Sequence, residues 1–334
     1  LKVVVLGGGF AGLAAKYYYR DAVLVDRYDY LTMTPNLVDV VVTGRTEVAM
    51  VPRKVDVRAE VLKVDIDGKK VVTDKGVFDY DKLVLSLGYE QDLSKVPGAR
   101  VNALKLETLN DALTLRAKIE RAKRVVIVGG GDLGVELAGS TVELASRLRG
   151  REVTLVNHGE RLLPHMPPRI SRKVEDLLSS KVRLLLGQKV EEVREGEVVL
   201  KDQVLRTDLT IYAGGLRGPP ILSNLPLSRR EGKVLVRRNL SSVDRDDVYA
   251  AGACADGIPS NGQAAIDSGR IAIRNAVGEG SEEYKPRPIV DVVKVEEECF
   301  GAIGEVPLSG GVGCLLRSLA YFNVMRMAGL LNLR

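Results

Sequence analysis

Tryptophan is absent from this sequence, histidine occurs twice and cysteine three times. Cys254, Cys299 and Cys314 form no C-x-x-C pair and no metal-ligand spacing, so neither a vicinal dithiol nor a metal centre is expected. The simplest reading of so few cysteines is a reducing compartment. No uncharged apolar run reaches about 18 residues, which argues against a single membrane-spanning helix. The start at Leu1 lacks the features of a signal peptide, so export by that route is not expected. No basic arm and no alternation of aromatic with basic residues points to nucleic acid. The net charge is +5, from 49 basic and 44 interspersed acidic residues, and it suits anionic cofactors or an anionic membrane surface. Scarce histidine and glutamine with 28% charged residues read as a thermophile's composition.

What the chain does have is one glycine fingerprint twice. Val3-Val4-Val5-Leu6 runs into Gly7-Gly8-Gly9-Phe10-Ala11-Gly12, and Val125-Val126-Ile127-Val128 runs into Gly129-Gly130-Gly131-Asp132-Leu133-Gly134. The offset is constant at 122 residues (129 − 7). Each copy is an apolar β-branched run, then G-x-G-x-x-G, then a helix-forming stretch. Two copies in that context imply two dinucleotide sites on one polypeptide, and paired dinucleotides imply electron transfer between them.

Periodicity organises the rest. Strands are expected at 2–6, 23–26 and 83–87, with a β-meander over 55–84. Helices are expected at 10–20 and 108–121. The second unit repeats the theme with a helix over 133–148, a strand at 152–156, a helix over 170–178, short strands over 182–200 and a strand at 209–213. Strand character returns over 233–255. A helix follows at 263–277, then extended chain over 290–306 and a final helix over 314–334. Alternating strands and helices give an α/β fold with parallel sheets covered on both faces. The expected parse is two nested Rossmann-like dinucleotide-binding domains plus a C-terminal strand and amphipathic-helix module. Residues 1–105 and 218–285 form the outer domain, 106–217 the inner one and 286–334 the module.

Gly7 and Gly129 permit the tight turn, Gly9 and Gly131 let backbone approach a pyrophosphate, and Gly12 and Gly134 let helix pack on sheet. The helix N-terminus then offers free N–H groups and a positive dipole end to the phosphates, with Phe10 and Ala11 in the first turn. Asp26 ends the second strand 19 residues after Gly7 (26 − 7), where a carboxylate accepts both ribose hydroxyls of an adenosine; the alternative is a solvated strand-end acid. Asn157 stands at the matching place in the second unit. Being neutral, it tolerates a 2′-phosphate, which His158 and Arg161 would face, so NADPH is admitted beside NADH; the alternative for His158 is an exposed loop residue. His165, among prolines, reads as structural. Glu136 lies early in the second fingerprint helix, either beside that cofactor or as an acid favoured by the dipole.

With these residues placed, the chain resembles the flavoproteins that carry FAD in one Rossmann domain and NAD(P)H in a nested second. Within them it is most similar to type II NADH dehydrogenases, the non-proton-pumping NADH:quinone oxidoreductases. The resemblance includes Val25-Asp26-Arg27, Met33-Thr34-Pro35, the stretch from Tyr80 to Gly88, and Val96-Pro97-Gly98-Ala99. It continues through Leu106-Glu107-Thr108-Leu109-Asn110-Asp111-Ala112-Leu113, Gly134-Val135-Glu136-Leu137-Ala138-Gly139, Arg161-Leu162-Leu163-Pro164, Ala213-Gly214-Gly215 and Val248-Tyr249-Ala250-Ala251-Gly252. It implies FAD on the first fingerprint with Asp26 and Arg27, Pro35 near the isoalloxazine, Gly88 near the phosphates, Val61 by the adenine, and Gly252 and Ala253 along the ribityl chain. It implies NADH or NADPH on the second fingerprint with Gly214 nearby, and Glu136 where nicotinamide meets flavin. Hydride would pass from nicotinamide to flavin, and two electrons onward to a quinone.

Two departures stand out. Ala253 occupies the place of the family's ribityl-binding aspartate, a loss of about 1.5–3 kcal/mol if nothing replaces that hydrogen bond; Asp256 is the nearby candidate to compensate. The family's quinone helix carries glutamines at i and i+4, and here the pair is Gln263 and Asp267, still on one helical face. The alternative for Asp267 is a solvated helix face. No cysteine precedes Cys254, which excludes the cysteine pair of disulfide reductases and the mid-chain cysteine of sulfide:quinone oxidoreductases; Cys254 itself reads as a buried thiol. Leu315, Leu316, Leu319, Phe322, Met327, Leu330, Leu331 and Leu333 gather mostly on one arc of the last helix, with Arg317, Ser318 and Asn332 opposite. That pattern suits an interfacial helix on the cytoplasmic face of an anionic membrane; the alternative is docking on the core or a partner. The expected enzyme is therefore an FAD-dependent NAD(P)H dehydrogenase passing electrons to quinone. Alternatives are a soluble reductase of a small redox protein or oxygen, and a flavin redox sensor with weak turnover. A homodimer is left open.

Overall fold

The computed structural model describes residues 1–146, 150–287 and 290–329. Five parallel strands make the first sheet, in the order Val248–Ala250, Lys82–Leu85, Val3–Leu6, Val23–Asp26 and Val57–Arg58. Val3–Leu6 sits at its centre, with all four residues buried and with Val4 paired to both Val23 and Leu83. A continuous apolar strand is what burial on both faces demands. The return of the chain after some 160 residues to add Val248–Ala250 beside Lys82–Leu85 is what encloses the second unit (248 − 85). The second sheet repeats the motif with four parallel strands, in the order Arg183–Leu185, Glu152–Val156, Arg124–Val128 and Leu209–Tyr212.

The expected meander divides in two. Val61–Asp65, Lys70–Thr73 and Gly76–Asp79 form a separate antiparallel sheet, while Val57–Arg58 and Lys82–Leu85 on either side join the parallel one. Helix Leu109–Ile119 begins at a capping box in which Thr108 and Asp111 satisfy each other's backbone N–H groups. The expected last helix is Gly311–Met327, preceded by a three-stranded antiparallel hairpin sheet of Val290–Val295, Glu298–Ile303 and Val306–Ser309. Leu330, Leu331, Asn332 and Leu333, assigned to that helix above, lie outside the described residues.

Two features were not foreseen. Helix Leu37–Thr43, from the first segment, packs its Leu37, Val38, Val40 and Val41 into the core of the second unit, with Val135 and Leu137 of the second fingerprint helix and Val293, Val295 and Phe300 of the hairpin. All three parts of the chain therefore share one hydrophobic core at this seam. The second feature corrects the cysteine reading: Cys299 and Cys314 are joined by a disulfide, leaving only Cys254 as a free thiol. Two cysteines 15 residues apart carry no recognisable spacing, and only the hairpin and the helix start bring their Cα atoms to 5.3 Å. The bond removes the support for a reducing compartment that the cysteine count offered.

Helix Gly262–Ala276 crosses the first fingerprint helix, Phe10–Tyr18, at very close range. A Cβ on Gly269 would lie 2.1 Å from the carbonyl oxygen of Ala11. Gly269→Ala is expected to force these helices apart and to cost about 1–3 kcal/mol, read as a lowered denaturation midpoint at unchanged slope.

Candidate active site

Both fingerprints adopt the conformation that their glycines were expected to allow. Gly7 has φ +89° and Gly129 φ +116°, a region open to glycine. A Cβ on Gly12 would lie 1.8 Å from the Gly7 carbonyl oxygen, and one on Gly134 equally 1.8 Å from that of Gly129, so helix and turn pack backbone to backbone. The directions in which Gly9 and Gly131 would carry a side chain are open, with nothing within 4 Å. These are the faces from which the free amides of helices Phe10–Tyr18 and Asp132–Ala145 point.

Around the first fingerprint, the Ser86–Gly88 turn lies against Gly7, whose Cβ would fall 2.5 Å from the Ser86 carbonyl oxygen. Gly252 approaches Ala11, its own Cβ direction ending 3.1 Å from the Ala11 methyl, and donates its N–H to Ser268 Oγ at 2.9 Å. Ala253 follows, buried. The Phe10 ring lies 3.8 Å from where a Cβ of Gly262 would fall. Residues 59–61 are held near by a bond from the Ala59 N–H to the Asp26 carbonyl (3.0 Å), and Val61 opens the meander strand. Arg27 is exposed over the Tyr28 ring.

Asp26 differs from expectation. Its Oδ2 accepts the Gly8 N–H at 2.6 Å and pairs with Arg53 at 3.1 Å, while Oδ1 accepts the Tyr28 N–H at 2.9 Å. Acceptor capacity remains on Oδ1 alone, so Asp26 organises the glycine turn and has room for one further donor, not for both ribose hydroxyls through two free oxygens. Arg53 was missed. Its side chain is 2% exposed, its guanidinium lies where a Cβ of Gly8 would fall, and its Nε and one Nη have no partner. A buried guanidinium with two nitrogens left free beneath a glycine turn is a donor set that fits a bound diphosphate. The sole sequence signal was a Pro-Arg step after an apolar pair.

Asn157 plays the same part in the second unit. Its Oδ1 accepts the Gly130 N–H at 3.0 Å, and its Nδ2 donates to the Gly159 and Arg161 carbonyls, both at 3.0 Å. Both amide hydrogens are thus committed to shaping the 157–161 loop. His158 stands exposed on that loop. Gly214 backs the fingerprint, its nitrogen 3.2 Å from where a Gly129 Cβ would lie.

The two units meet at Glu136. Its carboxylate is only 7% exposed; it accepts the Lys294 N–H at 2.9 Å and is ion-paired with Arg317 of the C-terminal helix. Arg317 also donates to the carbonyl of Pro35, in the short turn Thr34–Asn36, and Lys294 Nζ reaches Asp39 at 2.8 Å. Glu136 and Pro35, far apart in sequence, are therefore joined through one guanidinium. Burial pushes the Glu136 carboxyl above its ordinary value and nearby Asp132 adds to this, against the pull of Arg317 and the Lys294 N–H. Glu136 is thus a seam residue, not a solvated acid at a helix start. Arg317, expected on the polar side of a surface helix, points inward.

Gln263 is exposed near the start of its helix, and Asp267, one turn later, is partly buried with Arg287 Nε at 3.7 Å. Asp256, the candidate to replace the missing ribityl aspartate, pairs through Oδ2 with the exposed Arg230 at 3.1 Å. Cys254 is buried, as expected, with Sγ bonded to the Leu85 and Ala251 carbonyls.

Asp132, His165 and Asp291 converge from three separate elements. His165 Nε2 lies 3.0 Å from Asp132 and 3.1 Å from Asp291, and the three ligand atoms fall within 4.8 Å of one another. It is a grouping of metal-ligating types that no sequence spacing announced. Asp132 and Asp291 push the imidazole up to about 10, so a proton on His165 holds both carboxylates at neutral pH.

Residues 1–269 match the sequence profile of the family described as pyridine nucleotide-disulphide oxidoreductase. The chain belongs to that family. Among curated members, it is 25% identical over 303 residues to a type II NADH:quinone oxidoreductase of Staphylococcus saprophyticus, covering 78% of this chain and 75% of the other. It is 28% identical over 301 residues to a demethylphylloquinone reductase of Synechocystis, covering 78% and 74%. Among solved structures of this oxidoreductase fold, the sulfide:quinone oxidoreductase of Aquifex aeolicus superposes with TM-score 0.84 at 18% identity, covering 98% of this chain and 92% of that one. NDH2 of Plasmodium falciparum, solved with NADH, gives TM-score 0.82 at 14% identity, covering 98% and 95%.

The His165 cluster makes a testable statement. A histidine raised on folding contributes stability that is complete below its ordinary value of 6.5 and is lost as pH rises through about 10. His165→Gln should therefore lower the melting temperature near pH 6.5 and converge on the parent protein near pH 10, in thermal unfolding followed across that range.

Proposed function

We propose that this enzyme is a type II NADH:quinone oxidoreductase, taking hydride from NADH or NADPH onto FAD and passing two electrons to a quinone. The observation that carries the reading is Glu136, a buried carboxylate joining the second glycine helix to the Pro35 turn of the first unit. The named activities of the curated relatives, both reductions of quinones, support it. When bound, the two cofactors supply hydride transfer between stacked rings, and the protein supplies orientation and electrostatics.

The chain's own residues do the following. The amides of residues 10–12 and 132–134 bind the two pyrophosphates. Arg53 neutralises the flavin diphosphate from beneath Gly8, and Asp26 fixes that glycine turn while its Oδ1 accepts one ribose hydroxyl. Gly88, Val61 and the Gly252-Ala253 step close around FAD, and Arg27 lies at the adenosine end. Asn157 shapes the second turn, with His158 and Arg161 offering cationic or neutral donors at the adenosine of the nicotinamide cofactor; the neutral Asn157 admits NADPH. Glu136 orients the nicotinamide against the flavin, and Arg317 favours the charged form of that carboxylate against the larger effect of burial. Gln263 and Asp267, one helical turn apart, face the quinone as polar contacts.

The surface of the C-terminal helix supports membrane docking. Val312, Leu315, Leu319 and Phe322 recur at helical spacing and are each more than half exposed, an apolar stripe left uncovered by the described residues. No helix among the described residues is long and apolar enough to cross a bilayer. The stripe therefore lies on the anionic, cytoplasmic face of the membrane where a quinone pool is reached; a homodimer through the same stripe is the competing outcome. A disulfide in a cytoplasmic enzyme fits the composition of a thermophile, since intracellular proteins of hyperthermophiles are rich in such bonds.

The purified protein should be yellow. Its visible flavin bands should bleach on anaerobic addition of NADH or NADPH and return with a short-chain quinone. Recovery only with a soluble redox protein or with oxygen would overturn the quinone assignment, and a colourless protein that takes up no FAD would overturn the whole reading. Leu315→Ser/Leu319→Ser/Phe322→Ser should abolish sedimentation with phosphatidylglycerol vesicles yet leave bleaching by NADH unchanged; a dimer that becomes a monomer with no change in vesicle binding would assign the stripe to self-association. Arg53→Met should weaken flavin binding by about ten- to a hundredfold, as loss of a charged hydrogen-bond partner costs about 1.5–3 kcal/mol, measured by titrating FAD into the cofactor-free protein.

A further inference from the structure

The disulfide ties together the two stretches of backbone that hold Glu136. Cys299 stands directly opposite Lys294 in the hairpin, and the Lys294 N–H is the one that Glu136 accepts. Cys314 lies one helical turn before Arg317, whose guanidinium pairs with Glu136. The helix start is seated on Cys299 in other ways too. Gly310 donates its N–H to the Cys299 carbonyl at 2.9 Å, and a Cβ on Gly313 would lie 3.2 Å from the Cys299 Cβ. Beyond that point the helix is thinly held. Among its described residues only Gly313, Val324 and Met327 are buried, and the last two dock on Leu13, Leu31, Met33 and Val51 near its far end. Arg317 thus lies between an apolar anchor and a covalent one. Without the covalent one, Arg317 is kept at the site by its own ion pair, the Pro35 carbonyl, the single Gly310 hydrogen bond and the distant apolar anchor.

We propose that the Cys299–Cys314 disulfide is a positioning element for Glu136, which a dithiol can open to release the C-terminal helix from the active site. The proposal rests on the reading of Glu136 given above. Cys299 is buried and Cys314 is partly exposed, so the point of attack is Cys314 Sγ. A thiolate of the dithiol bonds to that sulfur, the Sγ–Sγ bond breaks, and Cys299 leaves as a thiolate that takes up a proton. The second thiol of the reagent then displaces Cys314 and closes a ring. The protein gains two electrons and two protons and the reagent becomes a disulfide. Opening the bond lets Arg317 move away, and the carboxylate then faces burial with only the Lys294 N–H to support its charge. The other charged groups at this point are Asp132 on its own helix and Asp39, which pairs with Lys294 and acts on Arg317. Both are acidic, so the Glu136 carboxyl rises further once Arg317 is gone.

The test uses the full-length flavin-loaded protein, oxidised or treated anaerobically with dithiothreitol that is then removed, with thiols counted by alkylation and mass. Reduction should speed amide exchange over residues 311–320 by about tenfold or more. It should also move the acid limb of the pH profile for flavin bleaching by NADH to higher pH. Cys299→Ser/Cys314→Ser should match the reduced protein. Arg317→Gln with the disulfide intact should shift the pH limb without speeding exchange, a separation that a purely structural crosslink would not give. Reduction verified by thiol count that changes neither exchange nor the pH limb overturns the proposal. An oxidised protein whose flavin no nicotinamide nucleotide can bleach overturns instead the functional reading, and the positioning role with it.

Discussion

A carboxylate buried at the junction of three chain segments sets the terms for this molecule. Glu136 is removed from water, and an ionised carboxyl there is tolerable only with a countercharge and directed hydrogen bonds. Both come from the C-terminal module, as the Arg317 guanidinium and the Lys294 N–H. Each of these residues also reaches the first segment, Arg317 at Pro35 and Lys294 at Asp39. The electrostatic requirement of one side chain therefore fixes the relative placement of both glycine units and the module that follows them. The shared core of Leu37, Val40, Val135, Val293 and Phe300 supplies the apolar packing around it.

The twin fingerprints solve one steric problem twice and differ in their polar chemistry. In both, the absence of a Cβ lets the helix press on the turn that precedes it. In both, an Asx side chain from the neighbouring strand end accepts the N–H of the middle glycine, Asp26 at Gly8 and Asn157 at Gly130. The charge differs, however. Asp26 is balanced by the buried Arg53, whereas Asn157 is neutral and turns its amide hydrogens onto its own loop.

The C-terminal helix has two faces with separate tasks. Inward, Arg317 completes the site. Outward, Val312, Leu315, Leu319 and Phe322 present apolar surface. The disulfide at its start keeps the helix in register with the hairpin.

Strand–turn–helix order, the nested arrangement of two parallel sheets and the tight turns at the glycines were all legible in the sequence. They are local matters: β-branched runs, helix periodicity and glycines whose need is felt within six residues of chain. The roles of Asp26 and Asn157 were only half legible, because strand-end placement is local but the choice between a ribose and a glycine N–H as partner is not. Arg53, Lys294, Arg317, the His165 cluster and the Cys299–Cys314 bond were invisible. Each owes its role to partners that only the fold brings together, 15 residues apart for the two cysteines and over 100 for Arg317 and Glu136, and an arginine in a surface-like helix pattern looks the same whether it meets solvent or a buried acid. Sequence periodicity determines which elements form and where a dinucleotide turn lies. Only the tertiary structure decides which charge is buried against which, since the free energy of a buried ion depends on its neighbours in space and not on those along the chain.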